Sequence, residues 1–170
     1  MDRQTAIVMT ALCILLAGLS SVASKPIGHP DQSGAIAAAI ENQFTEWLGV
    51  ESITRGVTSL PATTLCLDSK RPLDIAAIAH AMGDTVITTV PVSECTSETV
   101  EGNFGMFTAL TTYYDRSGEE AAHIEIADIR CTTTSACTVD IDSRGSGMRY
   151  EMERRGSVWH ARKAWMRWIV

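Results

Sequence analysis

The side chains with the best spacing for chemistry are His123 and Glu125, which fall on one face of a β-like segment, opposite Ile124 and Ile126. Asp140 and Asp142 repeat the pattern on the next segment, facing away from Ile141. If the strand register brings these pairs together, His123 could act as a general base supported by Glu125 or Asp140. The competing reading is a solvated sheet face, and the sequence favours it. No G-x-S-x-G elbow, H-E-x-x-H helix, P-loop or dinucleotide fingerprint accompanies these residues, so the familiar motif-bearing enzyme families are unsupported.

A second candidate is the run Asp140-Ile141-Asp142-Ser143-Arg144-Gly145 with Glu151. It matches the calcium loop D-x-D-x-[DN]-G-x5-E at every fixed position except the fifth, where Arg144 would aim a cation at a cation. The flanking segments read as strands rather than helices, so the run is expected to be a polar hairpin. No C-x-x-C pair occurs, and His29, His80, His123 and His160 are scattered, which argues against zinc. The expectation is no metal and no cofactor.

The cysteines point elsewhere. Residues 1–23 read as a secretory signal: Arg3 in a short polar start, an apolar run from Ala6 to Leu19, then Ser21-Val22-Ala23 at a cleavage spacing. The run is shorter than the about 20 residues a membrane-crossing helix needs. Leu19 stands where a lipoprotein would need cysteine. Removing the first 23 of 170 residues leaves 147, and removes Cys13, leaving Cys66, Cys95, Cys131 and Cys137. An even set behind an export signal implies disulfides in an oxidising compartment, secreted or periplasmic. Four cysteines allow three connectivities. Cys131 and Cys137 flank a short polar run between two strand-like segments, and Cys66 with Cys95 follows by elimination.

The elements that must position these residues are legible in part. Residues 24–32 read as a flexible lead-in and 33–170 as a single domain. Asp31 or Ser33 can cap a helix whose face carries Ile36, Ile40, Phe44, Trp47 and Leu48, with Gly49 as its stop and a loop from Glu51 to Pro61. Ala62 to Leu67 and Thr85 to Val92 read as strands flanking a helix from Pro72 to Met82. A polar stretch follows Cys95. Five β-like runs then end the chain, from Gly105, Glu120, Ala136, Met148 and Val158, joined by short turn-rich links that favour hairpins. The run Arg162-Lys163-Ala164 disturbs alternation between Trp159 and Trp165 and predicts a bulge. The expected fold class is α+β: two N-terminal helices packed on a twisted antiparallel β-meander.

Charge divides the chain. Pro26 to Asp142 carries 17 acidic and 5 basic side chains, a charge of −12; Ser143 to Val170 carries 7 basic and 2 acidic, a charge of +5. Arg154, Arg155, Arg162 and Lys163 are interleaved with Trp159 and Trp165 in that basic segment. In an exported protein the mixture suggests an anionic envelope component or an acidic protein as partner, and not nucleic acid. Alternatively, basic strands lie beside acidic ones and cross-strand pairs use up both signs, with the tryptophans in the core.

Helices followed by long antiparallel strands, with Val158-Trp159-His160-Ala161 directly after the Arg155-Gly156-Ser157 turn, resemble the cystatin-like rolls that include nuclear-transport-factor-like domains. The resemblance implies a cystatin-like roll, in a superfamily of enzymes, enzyme subunits and binding modules, some of which form homodimers through the sheet. It leaves function open. The leading expectation is a small exported binding or interaction protein without a catalytic motif, with no transmembrane span after processing. The rival is a roll-fold enzyme acting on a small molecule through the His123 pair.

Overall fold

The computed structural model describes residues 31–55, 62–83, 86–104 and 107–169. The expected signal segment 1–23 and most of the lead-in lie outside the described residues. Asp31 opens the first helix: its Oδ1 accepts from the Gly34 N–H at 2.9 Å, satisfying a donor that the first turn leaves free. Helix α1 spans Gln32–Arg55, so it runs past Gly49 and through part of the expected 51–61 loop. Ala35 to Ile40 are all buried, and the four alanines among them let the helix lie close to the sheet. Phe44 extends the buried stripe; the Trp47 and Leu48 side chains lie outside the described ones.

Strand β1 (Thr63–Ser69) is followed by α2 (Ile75–Met82) and β2 (Ile87–Pro91). Asp74 caps α2 by accepting from the Ala77 N–H at 2.9 Å, so the helix starts three residues after Pro72. A separate hairpin and a four-stranded antiparallel meander follow. β3 (Thr96–Phe104) pairs with β4 (Phe107–Tyr114). β5 (Glu120–Thr133), β6 (Ala136–Ser143), β7 (Ser146–Arg155) and β8 (Val158–Ile169) form an antiparallel succession.

The sheet order is β2-β1-β5-β6-β7-β8, with β4 attached to the start of β5. β1 runs parallel to both β2 and β5. The expected two-helix, all-antiparallel meander is therefore corrected: the described residues are mostly an eight-stranded mixed sheet, with one long helix and one short one among them. The physical reason lies in the connections. Ser69 to Ile87 is too long for a hairpin and contains a helix, which is the crossover that parallel neighbours require. β1 has neighbours on both edges, and Leu65, Cys66 and Leu67 are consecutively buried, as befits a strand covered on both faces.

Both helices contribute to one apolar cluster on one face of the sheet. It joins Ile36, Ile40 and Ile78 to Leu65, Ile126, Ile141 and Tyr150. Trp159 belongs to it too, and its indole N–H donates to Asp31 Oδ2 at 3.3 Å, tying β8 to the cap of α1. The opposite face carries Asp140, Asp142 and their arginines. The bulge expected near Arg162 is present, since Glu151 pairs with Lys163 and Met152 with Ala161; a second lies at Arg167.

Two disulfides join Cys66 to Cys95 and Cys131 to Cys137, the pairing reached by elimination. The first closes a 29-residue separation, the second only 6. On the chain-entropy view, replacing Cys66 and Cys95 together by serine should lower unfolding free energy by about 3–4 kcal/mol, against about 2 for the Cys131–Cys137 pair. Urea unfolding of both double variants checks this, and equal or reversed losses would contradict it.

Candidate functional site

The start of β5 does two things at once. Glu120 and Ala121 pair with β4, and from Ala122 onward the same strand pairs with β1. The β3–β4 hairpin departs from the sheet at this point, and a cavity of about 760 Å³ opens between it, the middle of α1 and the β6–β7 turn. Phe44, Ile124, Met148 and Met166 give it apolar walls; Thr111, Thr112 and Tyr113 come from the hairpin. Gln43, Glu120, His123 and Arg144 are among its polar lining. Pockets of this size, mostly apolar with a few fixed polar groups, are the usual form of a small-molecule site.

His123 therefore lies in a cavity wall, as the enzyme reading required. Its surroundings limit what it can do. The imidazole stacks on the Tyr113 ring, with centroids 4.0 Å apart and planes within 4°. Its Nε2 is buried and has no hydrogen-bond partner. Burial pushes the imidazole below its ordinary pKa, and the negative charges of Asp68 and Glu125 only partly oppose this. The same burial, with the same two carboxylates, pushes the Tyr113 phenol upward. A neutral ring whose Nε2 is shut away from the cavity is a packing element.

The register sets the expected partners apart from His123. Glu125 lies opposite Asp142 and Asp140 opposite Asp128, while His123 pairs with Cys66. Glu125 forms an ion pair with Lys70 at 3.5 Å. Asp140 is buried beneath arginine: Arg149 grips both its oxygens, Nη2 donating to Oδ2 at 2.6 Å, and Arg167 Nε lies 3.5 Å away. Asp142 receives Arg167 Nη1 at 2.9 Å and the Trp168 indole N–H at 3.2 Å. The calcium-like run is accordingly two strands and a tight turn. Its Gly145 takes φ +79, where a side chain would be strained, and Asp140 is held by a cation of the protein itself. Gly147 leaves room for the Trp168 indole, which any Cβ there would strike. Among the described residues no three His, Cys, Asp or Glu side chains converge as a metal site.

The basic strand is largely engaged within the fold. Arg162 pairs with Glu151 across the bulge at 2.5 Å, Arg155 with Glu153 at 3.1 Å, and Arg154 donates to the Gly156 carbonyl. Lys163 lies over the Trp165 ring at 5.0 Å, and Trp159 is buried. Sequence reasoning missed the cavity residues Gln43, Thr111, Thr112, Met148 and Met166 as a group; Phe44 was read as core and Arg144 as a fault in a calcium loop.

No protein family, curated protein or solved structure matches this chain, so the cystatin-like resemblance gains no support from relatives.

A histidine whose folded pKa is depressed lets the unfolded chain bind more protons between the two pKa values. Its contribution is thus present above about pH 6.5, the unfolded value, and is lost as pH falls toward the folded one. His123→Phe, which keeps the stack on Tyr113, should flatten the stability decline between pH 7 and 5 in thermal melts. An unchanged slope would contradict burial as the dominant influence.

Proposed function

We propose that this chain is an exported, disulfide-stabilised, non-catalytic binding protein of the cell envelope, and that it takes a small apolar ligand into the cavity beneath the β3–β4 hairpin. The observation that carries the reading is the cavity itself: about 760 Å³, walled by Phe44, Ile124, Met148 and Met166, with polar groups at a few positions. The methionines suit such a role, because unbranched thioethers adapt to irregular ligand shapes.

Export is supported by the apolar run from Ala6 to Leu19 and by two disulfides, which persist in oxidising compartments. Among the described residues no helix is long and apolar enough to cross a membrane. Catalysis has less behind it, since His123 Nε2 is buried and Asp140 is committed to Arg149 and Arg167. The ion pairs of Arg155 and Arg162 likewise favour the cavity over the basic strand as the binding element.

Two outcomes test this. Protein recovered from an expressing cell's envelope should begin at Ser24 on N-terminal sequencing; a chain retaining Met1 with free thiols would contradict export. The neutral fluorophore N-phenyl-1-naphthylamine should bind saturably at one site, and Ala122→Phe, which adds bulk to the cavity wall, should weaken it by about tenfold, some 1.4 kcal/mol. Affinity unchanged in a variant that melts normally would place the fluorophore elsewhere and overturn the reading.

A further inference from the structure

Resting on that reading, we infer that the ligand is a single-chain amphiphile with an anionic head, its chain against the apolar wall and its head at Arg144. The argument begins with the β6–β7 turn. Its two residues are Arg144 and Gly145, and the turn sets Arg144 at the cavity edge, exposed to solvent. One guanidinium N–H donates to the Thr111 carbonyl at 3.0 Å, which fixes the side chain against the hairpin wall. A guanidinium has five N–H donors, so others remain for a ligand. Arg149, Arg155, Arg162 and Arg167 are each neutralised by a carboxylate; Arg144, Arg154 and Lys163 take part in none of the ion pairs among the described residues, and of these three Arg144 is the one that lines the cavity.

A second donor faces the same ligand chemistry. The Tyr150 hydroxyl donates to Gln43 Oε1 at 2.7 Å, which occupies the acceptor end of that amide and leaves its NH2 to donate. Gln43 and Arg144 both line the cavity, together with the apolar Phe44, Ile124, Met148 and Met166. Planar donors on a fixed guanidinium suit carboxylate or phosphate oxygens. The opposing charge is Glu120, an exposed residue at the first position of β5 that also lines the cavity. The tethered Arg144 outweighs it for a head group of matching geometry, and a cationic head would reverse the preference.

Displacement of N-phenyl-1-naphthylamine from the full mature chain distinguishes these cases, using twelve-carbon amphiphiles below their micelle-forming concentrations. Dodecanoate or dodecyl phosphate should bind about tenfold or more tightly than dodecanol, and dodecyltrimethylammonium more weakly than either anion. The better of the two anions identifies the head group as carboxylate or phosphate. Arg144→Met should shrink the anion's advantage over dodecanol to about twofold or less. Equal binding of anion and alcohol, preference for the ammonium, or an advantage that survives Arg144→Met would overturn the head-group inference while leaving the cavity intact. Failure of the fluorophore itself to bind would instead overturn the cavity reading beneath it.

Discussion

The Cys66–Cys95 bond is the constraint on which the site depends. Cys66 lies in the most buried stretch of the sheet, on β1 between two parallel neighbours, while Cys95 is the last residue before the hairpin leaves. β3 is exposed throughout its described side chains and pairs only with β4, and β4 meets the rest of the sheet at two residue pairs. A two-stranded ribbon with so little burial is marginal alone. The disulfide fastens β3 at the base of the ribbon, and the stack of Tyr113 on His123, the register partner of Cys66, fastens β4 at the same end, where Ser97 pairs with Tyr113. Because Thr111, Thr112 and Tyr113 form a wall of the cavity, the cross-link shapes a binding site that it does not itself line. The histidine that looked most like a base serves as part of that fastening.

The two faces of the sheet use opposite physics. One is a continuous apolar layer under both helices. The other is a lattice of ion pairs, in which the acidic body and the basic terminal strands neutralise one another across β6, β7 and β8. The bulges at Arg162 and Arg167 matter here, because each re-aims an arginine toward Glu151 or the Asp140–Asp142 pair. Asp140 is tolerable when buried only because two guanidinium groups cover it. The charge asymmetry of the sequence is thus mostly spent inside the molecule, and among the described cations outside the lattice Arg144 is the one that lines the cavity.

What could be read from the chain was local. The helix cap at Asp31, the terminal hairpins, the bulge beside Lys163 and the cysteine pairing all follow from residue types over a few positions, whereas the cap at Asp74 is not legible behind Pro72, which reads as the helix start. The errors arose where structure depends on distance along the chain. Thr96–Phe104 is polar and gives no buried alternation, because an edge ribbon has no buried face to report. The parallel placement of β1 beside β5 is a pairing across more than fifty residues, set by a crossover helix and an intervening hairpin rather than by local pattern. α1 continues beyond Gly49 because one glycine in a helix costs only about 1 kcal/mol. The cavity was least legible of all, since its walls come from six separate strands and a helix, and no spacing links Phe44 to Tyr113 or Met166.

The central claim is that a ligand chain lies inside this cavity, and methyl NMR addresses it most directly. With ¹³C-methyl-labelled methionine and dodecanoate, intermolecular nuclear Overhauser effects should run from the alkyl protons to Met148 and Met166, which line the cavity, and be absent at Met152, which is buried in the core under α1. Overhauser effects confined to methyls outside the cavity, or none at a concentration that displaces the fluorophore, would contradict the account.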